Sequence, residues 1–173
     1  MKGIKKNYSS EQITLESTTK FPNSKLPVLL YRNVLELPSF FRALFIKKLF
    51  KSNGWSNSWK SGIYTYHHYH SNTHEVLGVY KGKTTLLLGG KKGVKIKISK
   101  GDVIIIPVGV AHKNLGKETQ IKCVGAYPYG KDYDMNYGKK KERPKTDENI
   151  KKVKVPRKDP VFGLIDGLHL YWK

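Results

Sequence analysis

The stretch that decides the reading is Gly62-Ile-Tyr64-Thr-Tyr66-His67-His68-Tyr69-His70-Ser-Asn-Thr-His74-Glu75-Val-Leu-Gly-Val-Tyr-Lys-Gly82. Four of the six histidines, His67, His68, His70 and His74, fall within eight residues of it. In an extended chain residues two apart share a face, so His68 and His70 point one way with Tyr64 and Tyr66, while His67 and Tyr69 point the other. Two imidazoles turned into a barrel interior need partners, because an unpaired buried polar group costs about 1–3 kcal/mol. A divalent metal ion is one such partner, and Glu75 and the later His112 could complete its ligand set; a metal-free polar pocket is the alternative. Glu75 and His74 are adjacent, so only one faces inward on a regular strand, and the spacing favours Glu75. Parity puts His67 outside the barrel, and His169 sits among apolar residues where a packed or surface histidine is the ordinary case. Tyr64 and Tyr66 are cavity-lining candidates. Cys123 either faces the cavity or is a buried, inert thiol.

Working outward, residues 61–128 break into short alternating runs at 62–70, 75–80, 83–88, 94–98, 102–106 and 120–126. Turn signals separate them at Lys81-Gly82, Gly89-Gly90, Gly93, Lys100-Gly101 and Pro107-Val-Gly109. Short strands at about ten-residue spacing predict an all-β sandwich or barrel. Val94, Ile96 and Ile98 alternate with Lys95 and Lys97, the pattern of a strand with one buried and one wet face. Upstream, the apolar run 26–31 reads as a strand. Residues 39–51 predict a helix, with Phe40, Phe41, Leu44, Phe45, Leu49 and Phe50 at three- and four-residue spacing and Asn53-Gly54 as its stop. That aromatic stripe is expected to pack on a neighbouring sheet. Downstream, the chain is Lys-rich until Pro160, then ends in Val161-Phe-Gly163 and Leu168-His-Leu-Tyr-Trp172, apolar enough to dock back. The expected organisation of 1–173 is one domain: a strand and helix extension over 1–60, a barrel core over about 61–128, and a Lys-rich and docking segment over 129–173.

The chain has 173 residues, 33 Lys and Arg against 13 Asp and Glu, and a net charge of +20. Such a charge raises a nucleic-acid reading. Yet only four of the basic residues are Arg, and Arg carries most bidentate recognition of bases and phosphates. The excess is also spread out: +8 over 1–60, +6 over 61–101, none over 102–138 and +7 over 139–158. Nucleic acid is therefore an unfavoured partner, and the lysines read as a solvated surface. The longest apolar run, 103–111, is far short of the roughly 18 residues a membrane span needs, so no membrane partner is expected. Residues 8–19 are polar where a signal peptide needs an apolar stretch, and the one cysteine leaves no disulfide to form. A cytoplasmic setting is the expectation. The sequence holds no Ser-His-Asp set, glycine-rich phosphate loop, Rossmann fingerprint or second carboxylate beside Glu75 to act as a general base. No catalytic residue beyond the metal site can be named.

Two spacings go further. Gly62-x5-His68-x-His70-x4-Glu75-x6-Gly82 matches the first cupin motif at every fixed position, and Gly101-x5-Pro107-x-Gly109-x2-His112 matches the second up to its final Asn. That Asn position is Gly116 here, and Asn114 lies two residues earlier. With the flanking segments Asn53-Gly-Trp55, Tyr66-His-His-Tyr-His70, His74-Glu-Val-Leu-Gly78, Val124-Gly-Ala-Tyr-Pro128 and Asp159-Pro-Val-Phe-Gly163, the chain resembles the small bacterial YjlB-type cupins over nearly its whole length. The resemblance implies a cupin double-stranded β-helix, or jelly-roll barrel, with His68, His70, Glu75 and His112 as metal ligands. Three nitrogens and one oxygen suit Fe, Mn, Ni, Co, Cu or Zn and leave coordination positions open for water or substrate. The implied function is metal-assisted chemistry on a small polar metabolite, of dioxygenase, isomerase or lyase type. The alternative is a non-catalytic cupin that binds a sugar or organic acid through the metal. The resemblance also implies a homodimer, formed by a sheet face or by exchange of terminal strands, for which residues 26–31 and 161–172 are the candidates.

Overall fold

One strand, β4 (Glu75–Leu88), runs through both sheets of the fold and organises the rest. The computed structural model describes residues 3–173. Its other strands are β1 (Ser9–Ile13), β2 (Val28–Arg32), β3 (Trp55–Ser61), β5 (Val94–Ser99), β6 (Val103–Ile106), β7 (His112–Asn114) and β8 (Ile121–Pro128); the helices are α1 (Arg42–Ser52), α2 (Lys145–Lys152) and α3 (Leu168–Tyr171). The larger sheet has the order β1-β2-β6-β4-β8-β3, and all its pairings are antiparallel. The second half of β4 leaves it to pair with β5 and β7. The result is a two-sheet jelly-roll barrel with few helices, the architecture expected.

Lys81-Gly82, expected as a turn between two strands, is instead a bend inside β4. A register shift between Val79 and Lys81 and a left-handed Gly82 (φ 79°) let the strand bend without ending. The strand expected over 62–70 does not form as a regular one. A bend at Thr65 and Tyr66 interrupts it, and only isolated bridges, His68 to His112 and Tyr69 to Asn136, hold its second half.

Alternation within the strands explains the core. Val28, Leu30, Leu77, Ile104 and Ile106 face the barrel interior with Leu86, Leu88, Ile96, Ile98 and Cys123. Leu29, Tyr31, Val76, Val103 and Ile105 face the other way, against Ile46 and Phe50 of α1 and against Val161, Phe162, Leu168 and Trp172 of the C-terminal segment. Strands covered on both faces read as continuous apolar runs, as β2 and β6 do. α1 rests on Gly78, where an added Cβ would meet Ile46 and Phe50 at 2.8 and 2.9 Å.

Part of the expected aromatic stripe does not pack. The helix starts at Arg42, three residues later than expected, because Phe41 is left-handed (φ 55°), and Phe40 and Phe41 are exposed. The C-terminal segment is tied down by polar groups. Buried Asp159 accepts from the Tyr31 hydroxyl at 2.7 Å and from the backbone N–H groups of Val161, Phe162 and Leu168, and the Trp172 indole donates to the Pro27 carbonyl. Residues 26–31 and 161–172, the segments considered for exchange between copies, are thus engaged within the chain. Among the described residues no helix is long and apolar enough to cross a membrane.

Candidate metal centre

His68 and His70 lie on the extended segment before β4, Glu75 opens β4, and His112 opens β7 after the turn at Pro107, Val108 and Gly109. The turn is fixed by a left-handed Gly109 (φ 86°), whose N–H donates to the His70 carbonyl at 2.8 Å, and by reciprocal backbone bonds between His68 and His112. These bonds bring three buried imidazoles together: the ligand atoms of His68, His70 and His112 lie within 4.8 Å of one another. Glu75 stands behind two of them, its Oε2 at 3.5 Å from His70 Nε2 and 3.3 Å from His112 Nε2.

The hydrogen bonds around the rings decide which nitrogen is free. His68 Nδ1 lies 3.2 Å from the Tyr66 carbonyl, His70 Nδ1 2.5 Å from the Asp134 carbonyl and His112 Nδ1 3.1 Å from the Val110 carbonyl. A carbonyl only accepts, so each Nδ1 carries hydrogen and each Nε2 in the neutral ring presents a lone pair. His70 Nε2 and Glu75 Oε2 are buried without a hydrogen-bond partner. A lone pair and a carboxylate oxygen facing each other need a proton or a cation between them, so this donor set fits a metal ion.

The electrostatics agree with that reading. Burial first, and then the neighbouring His112, hold the His68 imidazole down to about 3, so it stays neutral. Burial alone would raise the Glu75 carboxyl, but His70 and His112 outweigh it and keep the group far below the usual carboxylate range. Burial pulls His70 down too, yet Glu75 and the Asp134 carbonyl lift it above its ordinary value.

Residues distant in sequence hold these groups in place. Tyr127 on β8 donates to Glu75 Oε1 at 3.0 Å, and the Trp59 indole N–H on β3 donates to the Tyr127 oxygen at 2.8 Å. Trp59 lies flat over Gly125, its register partner, where a Cβ would come within 2.1 Å of the indole. Asp134, whose carbonyl holds His70, has its side chain bound by Ser71 N–H and hydroxyl and by the Asn136 amide. Trp59, Tyr133 and Asp134 fall in no quoted motif, and Tyr127 lies in the flanking segment Val124–Pro128 without a role assigned to it; only strand pairing and loop closure bring them here. Asn114, two residues before the expected motif Asn, anchors its turn: its Oδ1 accepts from the Thr84 hydroxyl and the Gly116 N–H.

A cavity of about 140 Å³ opens over the cluster, lined by Trp59, Ser61, Gly62, Ile63, Tyr64, His68, His70, Glu75, Leu77, His112, Tyr127, Tyr133 and Met135. It contains no Lys or Arg. Tyr64 lines it while remaining partly exposed to solvent, whereas Tyr66 and Cys123 do not line it. The bend at Thr65 and Tyr66 turns Tyr66 outward onto Tyr64, with ring centroids 4.8 Å apart. Cys123 is packed in the inner core, where burial pushes its thiol up. His67 lies on the other side of the segment against Phe21. His74 is buried away from Glu75, its Nδ1 accepting from Val108 N–H and its ring against Trp172. His169 stays near the C-terminus, by the Gly163 carbonyl.

A family model described as Cupin matches residues 60–126. The uncharacterized protein YjlB of Bacillus subtilis (strain 168) is 38% identical over 154 residues, which cover 88% of this chain and 90% of that one. Among solved structures, the chain is similar to acireductone dioxygenase from Bacillus anthracis with a cadmium ion in its active centre, at 17% identity and a TM-score of 0.37, covering 49% of this chain and 58% of that one. It is also similar to a vicilin from Solanum melongena, at 14% identity and a TM-score of 0.36, covering 65% of this chain and 26% of that one.

Proposed function

Since the chain belongs to the YjlB-type cupins, we propose that His68, His70 and His112, through Nε2, and Glu75, through Oε2, hold one divalent transition metal ion, and that the cavity above it takes a small polar metabolite for conversion. The observation that carries this reading is the clustering of three imidazoles, each with its Nδ1–H committed to a backbone carbonyl, two of which, His70 and His112, face the unpartnered buried Glu75 Oε2. When bound, such a metal supplies Lewis-acid or redox chemistry to a coordinated oxygen group.

The chain's own residues position and exclude. Tyr127 keeps its proton, because burial and the adjacent Glu75 push its phenol up, and it holds Glu75 Oε1. That leaves Oε2 for the metal. Ile63, Leu77 and Met135 limit water, while the hydroxyls of Ser61, Tyr64 and Tyr133 are placed to meet oxygen atoms of a ligand. The volume lies below the roughly 300 Å³ at the lower end of ordinary ligand clefts, so the metabolite is small. With no cationic side chain in the lining, any negative charge on it must be met by the metal.

Assays of metal-loaded protein with a panel of small hydroxy, keto and enediol acids, in air and under nitrogen, test the reading. Turnover that disappears in His112→Ala supports an enzyme. Saturable binding without turnover would instead support the non-catalytic cupin, a reading favoured by the lack of a second carboxylate or other general base among the cavity residues. Absence of both overturns the proposal.

A further inference from the structure

We infer that the start of α1 is a peripheral membrane-contact surface for anionic lipid, a role independent of the metal centre. The residues expected to be buried there are the most exposed aromatics of the region: Phe40 is 78% and Phe41 81% exposed, and Leu44 is 48% exposed. Phe41 also holds a left-handed backbone (φ 55°), a conformation costly for a bulky non-glycine residue. Neighbouring exposed large apolar side chains of this kind mark interaction sites.

The helix period places Leu44, Lys48 and Lys51 on one stripe, opposite buried Ile46 and Phe50, with exposed Phe41 at the N-cap before it. The stripe is apolar at its N-terminal end and basic at its C-terminal end. Arg42 and Lys47 flank it, and among the described residues none of Arg42, Lys47, Lys48 and Lys51 is paired with a carboxylate. The sequence holds no acidic residue between Glu36 and Glu75.

Charge selects the occupant. A second copy of this chain, itself carrying +20, would bring the same unpaired cations opposite one another, and like charges across an interface are disfavoured. Phenylalanine and leucine tips ringed by lysines match an interfacial element, in which rings enter the acyl boundary and ammonium groups meet anionic headgroups. Lysines acting as point charges suit a headgroup layer better than base or phosphate readout, which favours Arg. The surface needs no spanning segment, so it revises only the expectation that membranes play no part.

The test is flotation of the full chain with vesicles of phosphatidylcholine alone and with about 30% phosphatidylglycerol, at about 0.1 M and about 1 M salt, where screening shortens the reach of charge from about 10 Å to about 3 Å. Wild type is expected to float with the anionic vesicles at low salt and to be released at high salt. Phe40→Ser with Phe41→Asn, the asparagine chosen because it accepts the left-handed backbone, is expected to weaken binding at least tenfold. Lys48→Glu with Lys51→Glu, a change confined to exposed side chains, should do the same and decides the matter if the first pair fails to fold. No flotation with anionic vesicles, flotation unchanged in the variants, or a wild-type dimer that the phenylalanine changes convert to monomer would each overturn the inference.

Discussion

Tyr127 on β8 reaches the candidate metal centre although it belongs to neither cupin motif. Its hydroxyl is the donor to Glu75 Oε1, and the Trp59 N–H holds it from behind. Tyr127→Phe removes that donor while keeping the ring stack on Tyr133. Groups that orient metal ligands are typically worth 10–100-fold in affinity, so the variant should bind metal about that much more weakly in competition with a chelator. Gly125→Ala reaches the same relay from the strand side, since the new Cβ displaces the Trp59 indole, and its metal affinity should fall in parallel. At this scale the sequence was informative where chemistry is local. His68, His70, Glu75 and His112 sit in short motifs with fixed spacing, and the structure clusters the three histidines with Glu75 beside His70 and His112. Tyr66 went astray because parity assumes a regular strand and the chain bends at Thr65 and Tyr66. The roles of Trp59, Tyr127 and Asp134 were not legible because strand pairing and loop closure, not sequence distance, carry them to the site.

Among the elements, β4 joins the chemistry to the packing. Its first residue is Glu75, facing inward, and three residues later Gly78 receives α1 on the opposite face. Gly78→Ala forces a Cβ onto fully buried Ile46 and Phe50, an overpacking expected to cost about 1–3 kcal/mol. Chemical denaturation should register that loss, while the folded fraction keeps its metal stoichiometry because the change lies outside the barrel. β4 also marks a limit of legibility. Lys81-Gly82 has the composition of a turn, and only the pairing of both halves of the strand, to different partners, shows that the chain bends there and continues. β1 was missed for a related reason: Ser9–Ile13 is almost wholly exposed and carries no apolar alternation, and it becomes a strand by pairing with β2. α1 was recognised, but periodicity could not tell the packed end of its aromatic stripe from the end that faces solvent.

For the whole molecule, pH and charge act on different parts. His74 is buried and neutral, accepting from Val108 N–H, and burial holds its pKa down to about 4. In the unfolded chain the same group titrates near 6.5, so between these values the unfolded state binds the extra proton. Stability therefore decreases as pH falls from about 6.5 to about 4, by up to about 1.4 kcal/mol per unit from this group. Unfolding midpoints measured in denaturant across that range should fall with pH, and His74→Gln should flatten the slope. The net charge of +20 sits mostly outside the segment 102–138, which holds His112 and carries none of the excess, so the lysines belong to the surface and the function to a few uncommon side chains. The most direct test of that claim is the transition-metal content of tag-free protein, measured with His68→Ala and His112→Ala alongside. The account predicts close to one ion per chain in the wild type and far less in both variants. Wild-type protein that binds no transition metal at stoichiometric levels would contradict it.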